Sequence, residues 1–144
     1  MSLRSRLAFL AFALCTGCGK FQQARECGTF VKTVNAWLAS PEAKIADAGP
    51  AVDPKQVAQE ARRTAAHYSE LSRSLAALHV QGEELAPRVK RYEDIAEGAA
   101  RTLREVADAL DQGDLEKARQ KRVDFDTVAR GEAPLVKEIN GVCR

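Results

Sequence analysis

Residues 54–78 read Pro54-Lys-Gln-Val-Ala-Gln-Glu-Ala-Arg-Arg-Thr-Ala-Ala-His-Tyr-Ser-Glu-Leu-Ser-Arg-Ser-Leu-Ala-Ala-Leu78, and their apolar spacing decides the fold class. Val57, Ala61, Thr64, Tyr68, Leu71, Leu75 and Leu78 recur at alternating steps of four and three. Such alternation is a sustained heptad seam, so the stretch is read as one long amphipathic helix. Asp53 before Pro54 is an N-cap followed by proline at the first helical position, a strong start signal. Gln81-Gly82 is read as the stop.

The same period continues on both sides. After Gly82, Val89, Tyr92, Ala96, Ala99, Leu103, Val106 and Leu110 repeat the seam, with Glu83 and Glu84 as acids suited to a helix N-terminus. Pro87 marks the start of this third helix without fixing its first residue. Gly113 closes it and Asp114 caps a fourth, a tight connection that makes the two antiparallel neighbours. The fourth helix places Leu115, Ala118, Phe125, Val128, Leu135, Ile139 and Val142 near one face, and a bend is expected at Pro134, which has no N–H for the carbonyl of Arg130. In the first helix Cys27, Val31, Val34, Leu38 and Ile45 form the stripe, with Phe30 and Trp37 on its flank and a kink or restart at Ser40-Pro41. No strand pattern occurs. An all-α, up-down-up-down four-helix bundle is the expectation, each helix about 25 residues or about 38 Å long.

The whole chain has 144 residues, 22 Lys or Arg against 20 Asp or Glu, and 6% aromatics. One domain of ordinary size follows. The unmatched bases, Arg4 and Arg6, lie within the first 17 residues, which hold no acid, so bases and acids balance from residue 18 onward. A neutral domain is a poor match for nucleic acid. Alanine is the commonest apolar residue, which implies closely spaced helices and a thin core.

Catalytic and cofactor chemistry find little purchase. A di-metal bundle needs Glu-x-x-His motifs on two helices, and none occurs. Haem is disfavoured by the lack of Cys-x-x-Cys-His and of any methionine after Met1. No nucleophile elbow, phosphate-cradling glycine loop or zinc-protease motif occurs. His67 reads as a flank or boundary residue and His79 as a partner of the second helix's C-terminal dipole. Lys117, Arg119, Lys121 and Arg122 form a basic cluster; contact with anionic lipid or lipopolysaccharide is one reading, but the cluster spreads over more than one helix face and Asp114, Glu116, Asp124 and Asp126 flank it, so a mixed surface is expected. Arg122 falls on the apolar side, where it is expected to snorkel or to pair with a carboxylate across the bundle.

The N-terminus carries an address. Arg4 and Arg6 precede Leu7-Ala-Phe-Leu-Ala-Phe-Ala-Leu14, and small residues follow in Cys15-Thr16-Gly17-Cys18. This is a charged region, an apolar region and a small-residue cleavage site. Eight helical residues rise about 12 Å against a hydrocarbon core of about 30 Å, too short to span it. Thr16-Gly17-Cys18 resembles the lipobox of bacterial lipoproteins, with Cys15 at the position where that class usually has Leu and Leu14 one place further back. The resemblance covers the first 18 residues and implies lipidation of Cys18, which becomes the mature N-terminus. Gly19 rather than Asp after it implies the outer membrane rather than the inner. An ordinary cleaved secretory signal is the competing reading; a Cys-x-x-Cys redox site has no βαβ pattern after it.

On this reading residues 1–17 are a lipoprotein signal peptide, 18–26 a lipidated N-terminus and short tether, and 27–144 the bundle. Cys27 and Cys143 remain in the exported domain, and a disulfide is the simplest pairing in an oxidising compartment, with two free thiols or a metal pair as the alternative. The bond would clasp the two ends of an up-down-up-down bundle. The functional expectation is a non-enzymatic, membrane-anchored envelope protein without cofactor or nucleic-acid partner. Its protein partner would meet the loop from Asp47 to Asp53 and the turn from Asp111 to Asp114, or an apolar groove near the Pro134 bend. The competing expectation is a bundle that takes a small apolar ligand between its helices.

Overall fold

The computed structural model describes residues 16–40 and 53–144, with side chains from residue 19 onward. The described chain is helical: α1 (Thr16–Leu38), α2 (Pro54–Ala76), α3 (Ala86–Asp111), α4 (Leu115–Ala129) and α5 (Glu132–Val142). Helices α4 and α5 are two halves of one rod, so the architecture is a four-helix bundle with sequential neighbours in contact. Backbones approach most closely between α2 and α3 and between α3 and α4.

Local chemistry sets the element ends. The Asp53 carboxylate accepts from Lys55 N at 3.0 Å with Pro54 as the first helical residue, and the Asp114 carboxylate accepts from Lys117 N at 3.0 Å. Each satisfies an orphan amide of a first turn. Gly113 turns the chain between α3 and α4 at φ +73°, a conformation that side chains resist. Helix α2 stops at Ala76, so His79 lies beyond it, in the left-handed region at φ +46°, and not in a last helical turn as expected. Helix α3 begins at Ala86, which puts Pro87 in its first turn and leaves Glu83 and Glu84 ahead of it. The fourth rod breaks at Arg130-Gly131, and Pro134 sits in the first turn of α5, where its missing N–H costs nothing.

Helix α3 is the centre of the bundle. Val89, Tyr92, Ala96, Ala99, Leu103 and Val106 are buried as the heptad reading requires, and Ala100, Ala107 and Ala109 are buried beside them. Small residues on both sides let α2 and α4 come close. At Gly98 an added Cβ would lie 3.3 Å from Val128 Cγ1, so the α3–α4 crossing is built around this glycine.

The core has two unequal parts. Cys27, Phe30, Leu71, Leu75, Leu85, Val89, Tyr92, Leu135 and Ile139 fill the end where α1 and α5 join. Ala58, Ala61, Ala65, Leu103, Val106 and Ala107 fill the other, with Phe125 and Leu110 against them. Large side chains therefore hold the end bearing the disulfide, and alanines line the far end.

Several expected faces turn out rotated. In α1 the inward line is Cys27 and Phe30, buried, with Val34 and Trp37 partly buried against them, while Val31 and Leu38 are 40% and 52% exposed. Both lines share positions 27 and 34, and the one carrying two aromatics buries more apolar area. Early in α2, Ala58 and Ala65 are buried and Val57 and Thr64 only half so, because small residues permit the close approach to α3. Leu115, expected on the apolar face, is 56% exposed at the first position of α4. The Pro41 kink and Ile45 lie outside the described residues.

Candidate functional site

The bundle end that gathers the chain termini is built by α1. Cys27 and Cys143 form a disulfide with Cα atoms 5.6 Å apart, joining α1 to the end of α5 as the topology predicts. One turn earlier Gln23 Nε2 donates to Val142 O at 3.0 Å. Residues 19–26, expected as a tether, are helical and continuous with α1. Cys18 belongs to that helix, and its side chain lies outside the described residues.

Glu26 ties the α2–α3 connection to the same end. Its carboxylate accepts from Gln81 N at 3.2 Å and Gly82 N at 3.0 Å, and from Gln22 Nε2 at 2.9 Å. The Gln22 bond first, then the two amides and Arg25, hold its pKa below the usual carboxylate range. A depressed folded-state pKa stabilises above the ordinary carboxylate value, and that contribution is lost as pH falls through the folded value. Glu26→Ala is therefore expected to speed amide exchange at Gln81 and Gly82 about tenfold at neutral pH. The parent should lose the same protection on acidification, as followed by hydrogen–deuterium exchange.

At the opposite end the expected partner-contact positions separate. Asp47 lies outside the described residues. Asp53 is used as the α2 cap and Asp114 as the α4 cap. Asp111 is ion-paired to Arg62 of α2, which also reaches Asp108 at 3.4 Å. The turn from Asp111 to Asp114 is exposed throughout, and exposed Leu115 follows it directly.

Between α1 and α2 runs an open groove of about 590 Å³ that the sequence reading did not foresee. Its floor is Trp37 stacked on His67, centroids 4.6 Å apart and planes 11° from parallel. Trp37 Nε1 donates to His67 O at 3.0 Å, and Ser40 Oγ lies 3.1 Å from His67 Nε2. Ala36, Thr33 and Lys32 form one wall, and Glu70, Ser74 and Ala77 the other. His67 is thus a buried packing residue and not a flank residue, because the Trp37 ring covers it.

The basic cluster of α4 is divided among acids: Arg119 pairs with Glu116 at 2.7 Å, Lys121 with Glu105 at 2.8 Å, and Arg122 with Asp126 at 3.5 Å. Arg122 lies on the surface over the Phe125 ring, 5.7 Å from its centroid, and pairs within its own helix rather than across the bundle. Among the described residues no three His, Cys, Asp or Glu side chains gather as a metal site, and no helix is long and apolar enough to cross a membrane. No protein family, curated protein or solved structure matches this chain.

Proposed function

We propose that the chain is a non-enzymatic, lipid-anchored envelope protein whose bundle is a protein-interaction module. Cys18 carries the lipid, and the disulfide end stands next to the bilayer. The address rests on Arg4, Arg6, the apolar run Leu7–Leu14 and Thr16-Gly17-Cys18. The Cys27–Cys143 bond suits an oxidising compartment. Gly19 after the lipidated position supports the outer membrane, on its periplasmic or surface side, through the lipoprotein resemblance.

The observation that carries the interaction reading is Leu115, 56% exposed beside the Asp111–Asp114 turn at the end away from the anchor. An exposed leucine framed by carboxylates offers an apolar contact with a charged rim. Cys18→Ser is expected to release the protein from membranes and abolish labelling by a palmitate analogue; labelling that persists removes the anchor. Leu115→Glu combined with Gln112→Lys is expected to abolish crosslinking to a partner in intact cells, and unchanged crosslinks rule the turn out as the contact.

The α1–α2 groove supports the second reading, a small apolar ligand lying against Trp37. A ligand-dependent rise in Tm that Trp37→Ala abolishes is the outcome that favours it.

A further inference from the structure

The first described turns of α1 combine an exposed aromatic with bases close to the anchor position. Phe21 is 72% exposed, more than any other large apolar residue described, and no core cluster includes it. Positions 18, 21 and 25 are three and seven apart along a continuous helix, which is the spacing of one helical face. That face carries in order the lipidation position, an aromatic and Arg25. Phe21 lies only about 4.5 Å along the axis from position 18. Lys20 shares a shallow cleft with Arg144 beside the disulfide, which brings a base from just past α5 to the same tip. The nearest acid on α1, Glu26, is turned onto the amides of Gln81 and Gly82. Phe21 and Arg25 line a cleft against the α2–α3 connection, whose exposed acids Glu83 and Glu84 lie at the same end of the bundle.

We propose that this tip is a second membrane contact, in which Phe21 enters the headgroup layer of an anionic bilayer while Lys20, Arg25 and Arg144 meet lipid phosphates. The inference rests on the lipid-anchor reading and deepens it, because one acyl attachment leaves the bundle free to swing and a second contact fixes its tilt. A lone aromatic binds an interface weakly. Held beside a lipidated residue it acts at high effective concentration, so a weak contact suffices. Aromatic rings are suited to this layer, having an apolar body at the depth where headgroups meet acyl chains, and the bases add attraction that salt screens. The bilayer would then press on the disulfide end, leaving Leu115 and the Asp111–Asp114 turn pointing away from it.

The test uses the full chain expressed in an exporting bacterial host, purified from membranes and reconstituted into vesicles of brominated phosphatidylcholine with or without phosphatidylglycerol. Intact mass first reports whether Cys18 is acylated, which decides the anchor separately. Trp37 is the only tryptophan, so the parent supplies the baseline for Phe21→Trp. In acylated protein the introduced indole is expected to lose roughly half or more of its emission to brominated lipid. Lys20→Glu with Arg25→Glu should return quenching in anionic vesicles to the level in neutral ones. An introduced indole equally bright in brominated and ordinary lipid overturns the proposal. Should the mass show no acyl chain, the anchor reading fails, and cosedimentation of the processed protein with anionic vesicles decides the contact alone. Binding that Phe21→Ser abolishes supports it, and no cosedimentation overturns it. Because Phe21 packs in no core cluster, Phe21→Ser should keep the parent's Tm, which guards against a folding artefact.

Discussion

Replacing Cys27 and Cys143 together by serine is expected to lower the unfolding free energy by about 4 to 5 kcal/mol. The bond joins residues 116 apart, so in the chain-entropy account it removes the freedom of almost the whole described chain from the unfolded ensemble. A domain of this size has about 5 to 15 kcal/mol in all, so the loss is a large fraction of it. Its structural consequence falls on α1. Helix α3 approaches α2 and α4 closely through alanines and Gly98, whereas α1 reaches α2 at few backbone positions. What remains of its attachment includes Phe30 on Tyr92, Trp37 on His67, the Glu26 carboxylate on the Gln81-Gly82 amides and the bond from Gln23 to the Val142 carbonyl. Urea unfolding of the double variant should show the lowered midpoint, and exchange in α1 should outrun exchange in α2 and α3. A loss under about 1 kcal/mol, with α1 as protected as α3, would mean that packing and not the bond holds the first helix.

The parts of the fold that were legible are those in which one helix carries its own evidence. The α3 seam from Val89 to Val106 is buried as spaced, because a central helix meets neighbours on most sides and its period alone decides burial. Asp53-Pro54 and Gly113-Asp114 were legible for the same reason, since a cap acts within four residues. Faces at the margin of the bundle were not. In α1 the lines 27-31-34-38 and 27-30-34-37 differ by small rotations, and the choice depends on Tyr92 and His67 waiting on other helices. His67 could not be assigned to the interior before Trp37 was known to lie over it. Leu115 follows a tight turn whose geometry sets where the first residue of α4 points. For the candidate site, the cues to an address are concentrated in residues 1–18, while the groove and the Phe21 tip arise from the relative register of helices, which no local pattern encodes.

Tyr92 concentrates the second large effect, and Tyr92→Ala is expected to cost about 3 to 5 kcal/mol. Its side chain is 1% exposed at the centre of the larger core. The ring lies 6.0 Å from that of Phe30 on α1, and the hydroxyl donates to the Glu132 carboxylate at the first residue of α5. One side chain of α3 thus touches both helices that flank the disulfide. Truncation leaves a ring-sized void, and neighbours bound by the Cys27–Cys143 link relax into it only in part. Tyr92→Phe separates the ring from the hydroxyl: it should cost about 1 kcal/mol, since Glu132 is half-buried and water can replace the lost donor. The two variants also differ in pH dependence from the parent. Burial first, then the Glu132 carboxylate, pushes the Tyr92 phenol far above its usual value of 10.0, and the same causes push Tyr68 up to about 12. A raised folded-state pKa means that stability is whole below the unfolded phenol's pKa and is lost as pH rises from there toward the folded value. The parent should therefore weaken steadily above about pH 10, and Tyr92→Phe should weaken less over the same range, leaving the part due to Tyr68. Equal alkaline slopes in parent and Tyr92→Phe would show that the phenol ionises without opposing the fold. The cost of Tyr92→Ala would then belong to the void alone, and the link from α3 to α5 would rest on Leu135 and Ile139 rather than on the bond to Glu132.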